Sequence, residues 1–184
     1  MTAIIETDTG RLKLRQWIDG DFEPFARINS DPEVMKYYPN ILSEEESNNL
    51  VHKFKILISE KGWGFWAVER IEDNSFIGFV GLNEPLYDLP VSPCVEIGWR
   101  LGKEYWGNGY ATEAGKACLD IAFNILNLSE VYSFTSLSNK KSKAVMERIG
   151  MKDTGVEFEH PMIIEGHELR RHCLYKQARE KQVE

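Results

Sequence analysis

Two glycines bracket one asparagine in Glu104–Ala114, EYWGNGYATEA, directly ahead of YATEAGKACLDIAFNIL, a stretch that reads as a long helix. That placement can do chemistry. The first turn of a helix has N–H groups without internal partners and carries the positive end of the helix dipole. Glycine lets an anion approach them closely. Gly107 and Gly109 supply that freedom, and Asn108, Tyr110, Ala111 and Thr112 supply N–H groups, so the turn is expected to cradle a phosphate. Two nucleotide patterns fit poorly. A Walker loop needs Lys-Ser/Thr after its last glycine, where Tyr110-Ala111 stand. A dinucleotide fingerprint needs a third glycine where Thr112 stands, and it lies early in a βαβ unit, whereas more than half of this chain precedes the turn. The other reading of the glycines is a tight strand-to-helix turn and nothing more.

The flanking elements must position that turn. VEIGWRL alternates, with Val95, Ile97, Trp99 and Leu101 on one face and Glu96, Gly98 and Arg100 on the other, so a strand enters it. EVYSFTSL predicts the strand after the helix, and NKKSKAVMERIG a further helix. Earlier, RLKLRQW predicts a first strand and DGDFEPFARINSD a short helix. Ser43 followed by Glu46 has capping-box spacing and opens an amphipathic helix over EEESNNLVHKFKILISEK. WGFWAVER and FIGFVGLN, joined by EDNS, predict a β-hairpin. MKDTGVEFEH and HELRRHCLYK predict two last strands. The order β-α-α-β-β-β-α-β-α-β-β implies an α/β (α+β) chain with a mixed, mostly antiparallel sheet flanked by helices.

The 184 residues suit one domain, expected over 1–176, with 177–184 as a polar tail. With 22 basic against 29 acidic residues the net charge is −7, which gives no general pull on nucleic acid or an anionic membrane. Cys94, Cys118 and Cys173 are odd in number and form no CxxC pair, so free thiols in a reducing compartment are expected. No signal peptide opens the chain and no window reaches the ~18 apolar residues of a membrane helix, so a cytoplasmic location is the expectation. His167 and His172 are five apart in an expected strand and so face opposite sides, a poor metal pair; His52 falls on the amphipathic helix. Trp63, Phe65, Trp66 and Trp99 are expected in the core.

Taken together, YWGNGYATEA followed by NKKSKAVMERIGM resembles the GNAT superfamily of acyl-CoA-dependent N-acetyltransferases, and within it the ribosomal-protein N-terminal (alanine/serine) acetyltransferases and their relatives. The resemblance spans about residues 10 to 176. Its pyrophosphate loop, Q/R-x-x-G-x-G/A, maps onto Glu104–Gly109, with Glu104 departing from Gln or Arg. It implies acetyl-CoA as cosubstrate, no metal, an amine acceptor, and a monomer or homodimer. The acceptor is a protein N-terminal α-amine or a small-molecule amine; a non-catalytic acyl-CoA sensor is the further alternative.

The resemblance also implies site residues. The strand with Ile97, Gly98 and Trp99 lies beside the pantetheine arm, and Gly98 marks a splay or bulge. Asn139 and Ser142 contact the arm, with Ser142 near the sulfur; read from position alone, Asn139 is a helix N-cap. Superfamily members that use a tyrosine acid place it where Met146 stands, four residues before Gly150-Met151, so that acid is missing. Glu96 is the expected base, on the face that looks into the acceptor cleft, with Glu113 second. A site without a strong base suits an α-amine: at a pKa near 7.7–8 roughly a tenth is neutral around pH 7, against about 0.04 % of a lysine-type amine. The resemblance has NSDPEVMKYYPN and FEHPMIIEGHELR wall the acceptor cleft, and Tyr37, Tyr38 and Trp17 are the candidate acceptor contacts.

Overall fold

Ser43 does what its spacing predicts. It accepts from the Glu46 N–H at 3.2 Å while Glu46 accepts from the Ser43 N–H at 2.8 Å, and Gly62, at φ 83°, ends the helix they open. A computed structural model describes residues 2–179. The strands are β1 (Thr7–Asp8), β2 (Leu12–Arg15), β3 (Phe65–Arg70), β4 (Ser75–Asn83), β5 (Glu96–Leu101), β6 (Glu130–Ser136), β7 (Lys152–Glu159) and β8 (Arg171–Ala178). The helices are α1 (Phe22–Ser30), α2 (Glu44–Lys61), α3 (Tyr110–Asp120) and α4 (Lys140–Arg148). β8 runs to Ala178, two residues into the expected tail; residues 180–184 of that tail lie outside the described residues.

One sheet carries all eight strands in the order β1-β2-β3-β4-β5-β6-β8-β7. Every pairing is antiparallel except β5 with β6. Two features differ from expectation. Thr7–Asp8 adds a short strand by pairing with Leu14 and Lys13. The expected long helix after the glycine turn changes pitch, passing into a π-helical turn over Ile121–Ile125, where the Leu126 N–H reaches the Ile121 carbonyl at 2.9 Å.

The core is aromatic on the side of α1 and α2. Trp17, 2 % exposed, packs against Phe25, Phe54 and Phe76 at ring distances of 5.0, 5.7 and 5.4 Å and donates its indole N–H to the Phe65 carbonyl at 2.7 Å. It is a core residue, and its expected role as an acceptor contact is dropped. Trp66 is fully buried, while Trp63, Phe65 and Trp99 are half-buried. Beside this cluster Arg15 forks onto Asp21 at 2.7 and 2.9 Å and reaches Glu69 at 2.8 Å. Removing one partner of a buried ion pair strands the other charge. Asp21→Ala is therefore expected to cost about 3 kcal/mol, at the low end because Glu69 stays on Arg15. Urea denaturation checks this through a lowered midpoint at unchanged slope.

Candidate active site

The glycine turn has the conformation its sequence asks for. Gly107 and Gly109 sit at φ 77° and 80°, and Gly109 is the N-cap of α3. The first bond of the helix runs from the Glu113 N–H to the Gly109 carbonyl at 3.0 Å. The N–H groups of Tyr110, Ala111 and Thr112 therefore have no protein partner among the described residues. Space around Gly107 is open, and the nearest atom to a Cβ built on Gly109 is Arg11 Nη2 at 3.7 Å. The loop is braced by hydrogen bonds despite its glycines. Asn108 Nδ2 donates to the Tyr105 and Trp106 carbonyls at 3.2 and 3.1 Å, and Arg11 Nη1 donates to the Asn108 carbonyl at 3.0 Å. Arg11 lies 4.7 Å from the Tyr110 ring and Lys141 4.2 Å from the Trp106 ring, so two cations flank the turn. A preformed, cation-flanked set of free N–H groups fits a pyrophosphate.

β5 enters the turn and parts from its neighbour on the way. It pairs with β4 along its whole length, from Asn83 opposite Glu96 to Gly78 opposite Leu101. With β6 it pairs only at Glu96 opposite Tyr132; beyond that the strands are joined by Ser133 Oγ donating to the Ile97 carbonyl at 2.9 Å. The expected splay is present. There is no bulge beside it: the β4–β5 register is unbroken, and the irregularity lies in the β3–β4 pairing, where Val68 faces Gly78 at φ 133° and Glu69 faces Phe76, leaving Ile77 as the extra residue of β4. Gly98 is glycine for another reason, since a Cβ there would stand 3.2 Å from the Phe65 ring.

Glu96 sits where β5 and β6 are still joined. Asn83 Nδ2 donates to its Oε1 at 2.7 Å. Burial pushes the Glu96 carboxyl up to about 7, against the opposing pull of the Asn83 bond. A carboxyl poised there can take a proton from an amine at neutral pH. Tyr132, its cross-strand neighbour, turns its hydroxyl to Glu130 at 2.6 Å, and burial and that carboxylate push the phenol up to about 12. Burial and the Glu96 charge likewise raise the Tyr87 phenol.

Glu113 is occupied elsewhere. It accepts from Thr9 Oγ1 at 2.6 Å, the Arg11 N–H at 2.8 Å and Arg11 Nε at 2.7 Å, and lies 2.6 Å from Arg11 Nη2. Burial, which raises its carboxyl, is outweighed by these bonds and the group lies below its ordinary value. Glu113 ties the β1–β2 turn to α3 and is a poor proton acceptor. Asn139 is the N-cap of α4: its Oδ1 accepts from the Ser142 N–H at 3.2 Å and its Nδ2 donates to Thr135 at 3.0 Å. The Ser142 hydroxyl has no protein partner among the described residues and is half-buried. Met146 is fully buried in the core.

On the acceptor side Arg100 donates to Asn29 Oδ1 at 2.6 Å and lies 4.1 Å from the Tyr38 ring, which holds the α1–α2 connection against β5. Tyr37 is half-buried beside Lys36, 5.8 Å from its ring. His167 lies outside any strand, whereas His172, on β8, sits 4.8 Å from His160, a pair that the sequence spacing hid. Among the described residues no group of three or more His, Cys, Asp or Glu side chains is gathered to hold a metal ion, and no helix is long and apolar enough to cross a membrane.

The parted β5–β6 pair running into the glycine-capped α3 is the arrangement that the resemblance to the acyl-CoA-dependent transferases implies, and comparison with known proteins agrees. The profile described as Acetyltransferase (GNAT) domain matches residues 11–152. The Bacillus subtilis protein called uncharacterized N-acetyltransferase YoaA is 31 % identical over 158 residues, 85 % of this chain and 86 % of that one. A Bacillus anthracis acetyltransferase of the GNAT family superimposes with a TM-score of 0.78 at 28 % identity, over 95 % of this chain and 98 % of that one. A Vibrio fischeri ribosomal-protein-S5-alanine acetyltransferase shares the fold, with a TM-score of 0.75 at 18 % identity over 98 % of this chain and 100 % of that one. The chain belongs to the GNAT acetyltransferase family. It is an acetyltransferase whose relatives are N-acetyltransferases.

Proposed function

We propose that the chain moves an acetyl group from acetyl-CoA to a primary amine of low pKa, an α-amine of a small molecule or of a peptide N-terminus, in the cytoplasm. The observation that carries this is the carboxyl of Glu96, half-buried at the one point where β5 and β6 pair and raised to about 7, on the strand that leads to the free N–H groups of α3. The pyrophosphate lies on the N–H groups of Tyr110, Ala111 and Thr112, helped by the turn of Gly107, Asn108 and Gly109. The pantetheine arm runs in the gap beside Ile97, Gly98 and Trp99, with Asn139 shaping the α4 side. The three cysteines are free, as a reducing compartment requires.

The amine nitrogen attacks the thioester carbon. A C–N bond forms, the C–S bond breaks, and its electron pair leaves on sulfur. Glu96 takes the amine proton, directly or through a water, and returns it to solvent as the thiolate is protonated. Ser142 donates a hydrogen bond to the departing sulfur; a hydroxyl is too weak an acid to give its proton away at pH 7. Ser142→Ala is therefore expected to lower kcat about tenfold, the equivalent of about 1.4 kcal/mol, with CoA affinity nearly unchanged. Steady-state thiol release alongside calorimetric CoA binding checks this. An unchanged kcat returns Ser142 to a helix-start residue.

A further inference from the structure

On the face of the sheet that carries Glu96, a cavity of about 380 Å³ opens between α2 and the end of β4. Asn83 lines it and is the hydrogen-bond partner of Glu96, so the cavity and the half-buried carboxyl share a residue. Phe65 and Tyr87 form aromatic walls, and Phe65 is the ring that Gly98 makes room for. Leu86, 87 % exposed, and Met162, 67 % exposed, also line it and leave apolar surface open to water. Scattered exposed apolar residues need no explanation, and these two differ in giving one cavity an apolar rim.

The charges of the lining do not cancel. Lys61 pairs with Glu84, the one carboxylate of the lining. Lys53, eight residues earlier on the same stripe of α2, makes no ion pair among the described residues. Behind Tyr87, at 5.0 Å, stands His160, which burial and His172 push down to about 4, so it adds no charge at pH 7. The lining therefore offers one uncompensated cation and no spare carboxylate for a second cationic end of a substrate. Its volume lies at the low end of the roughly 300–1,000 Å³ of small-molecule sites. One lysine matches the single charge of a carboxylate better than the roughly −1.5 to −2 of a phosphate monoester.

Resting on the transferase reading above, we propose that this cavity holds the acceptor: a compact amine with an apolar or aromatic body and a distal carboxylate that pairs with Lys53. The amine end lies toward Glu96, the body against Phe65 and Tyr87, and the carboxylate toward α2. Lys53 is exposed, so its pairing is solvent-screened and the effect of losing it is small but readable.

The test is thiol release from acetyl-CoA with three acceptors: the dipeptide Leu-Phe with a free carboxylate, its C-terminal amide, and spermidine. The free acid is expected to have the lowest KM, the amide a KM about fivefold higher, and spermidine the poorest kcat/KM. Lys53→Gln should raise the KM of the free acid to that of the amide while CoA titration shows a folded, CoA-binding protein. Equal KM values for acid and amide, a preference for spermidine, or no effect of Lys53→Gln overturns the proposal and leaves the transferase intact. Absence of CoA binding or of thiol release with every amine overturns the transferase reading itself, and this proposal with it.

Discussion

Glu96→Gln is expected to lower kcat/KM about a hundredfold and to remove one limb of the pH profile. The amide keeps the shape of the side chain and an oxygen for Asn83, which donates to Oε1 at 2.7 Å in the native protein. It loses the ability to take a proton. General-base catalysis contributes roughly 10²–10⁴, and the low end applies because roughly a tenth of an α-amine is already neutral near pH 7. The direction of the pH dependence follows from the shift. Burial raises the Glu96 carboxyl to about 7, so the proton-accepting form dominates only above that pH. Native kcat/KM should rise through about 7, and below it the Glu96 limb by itself contributes a tenfold fall per pH unit. An α-amine acceptor titrates nearby, at about 7.7–8, and contributes its own limb. The variant separates the two: the limb near 7 disappears and that of the amine remains. A variant with the native rate and both limbs would remove Glu96 from the mechanism.

Gly109→Glu is expected to abolish CoA binding in a protein that still folds. At φ 80° a side chain is strained, and its Cβ would stand 3.7 Å from Arg11 Nη2. The new carboxylate is drawn to that guanidinium and places a negative charge in front of the N–H groups of Tyr110, Ala111 and Thr112. A hydrogen bond to a charged group is worth about 1.5–3 kcal/mol, so losing two costs about 4 kcal/mol, roughly a thousandfold in affinity. Calorimetric titration with CoA reads this directly, and circular dichroism confirms the fold. Native affinity in the variant would mean that the phosphates lie elsewhere.

Local patterns in the sequence predicted local structure well. The Ser43/Glu46 spacing, the alternation across Glu96–Leu101 and the Gly107/Gly109 turn each depend on residues within a few positions, and each forms as expected. What the sequence hid depends on distant partners. Glu113 looks like a candidate base beside the cradle until Thr9 and Arg11, about a hundred residues earlier, fold onto it. Glu96 gains its raised carboxyl from burial and its orientation from Asn83, thirteen residues away across β4 and β5. β1 is two residues long and has no periodicity to read. β8 inserts between β6 and β7, an arrangement that no order of elements along the chain dictates. The His160–His172 pair follows from the β7–β8 register, in which Phe158 faces His172.

The most direct test of the account is a calorimetric titration with acetyl-CoA, CoA and ATP, followed in the same sample by amine addition and a free-thiol assay. The account predicts that CoA and acetyl-CoA bind, that ATP does not compete, and that thiol appears only when an amine is added. ATP binding in place of CoA, or no CoA binding at all, would contradict it, and the free N–H groups ahead of α3 would be only the start of a helix.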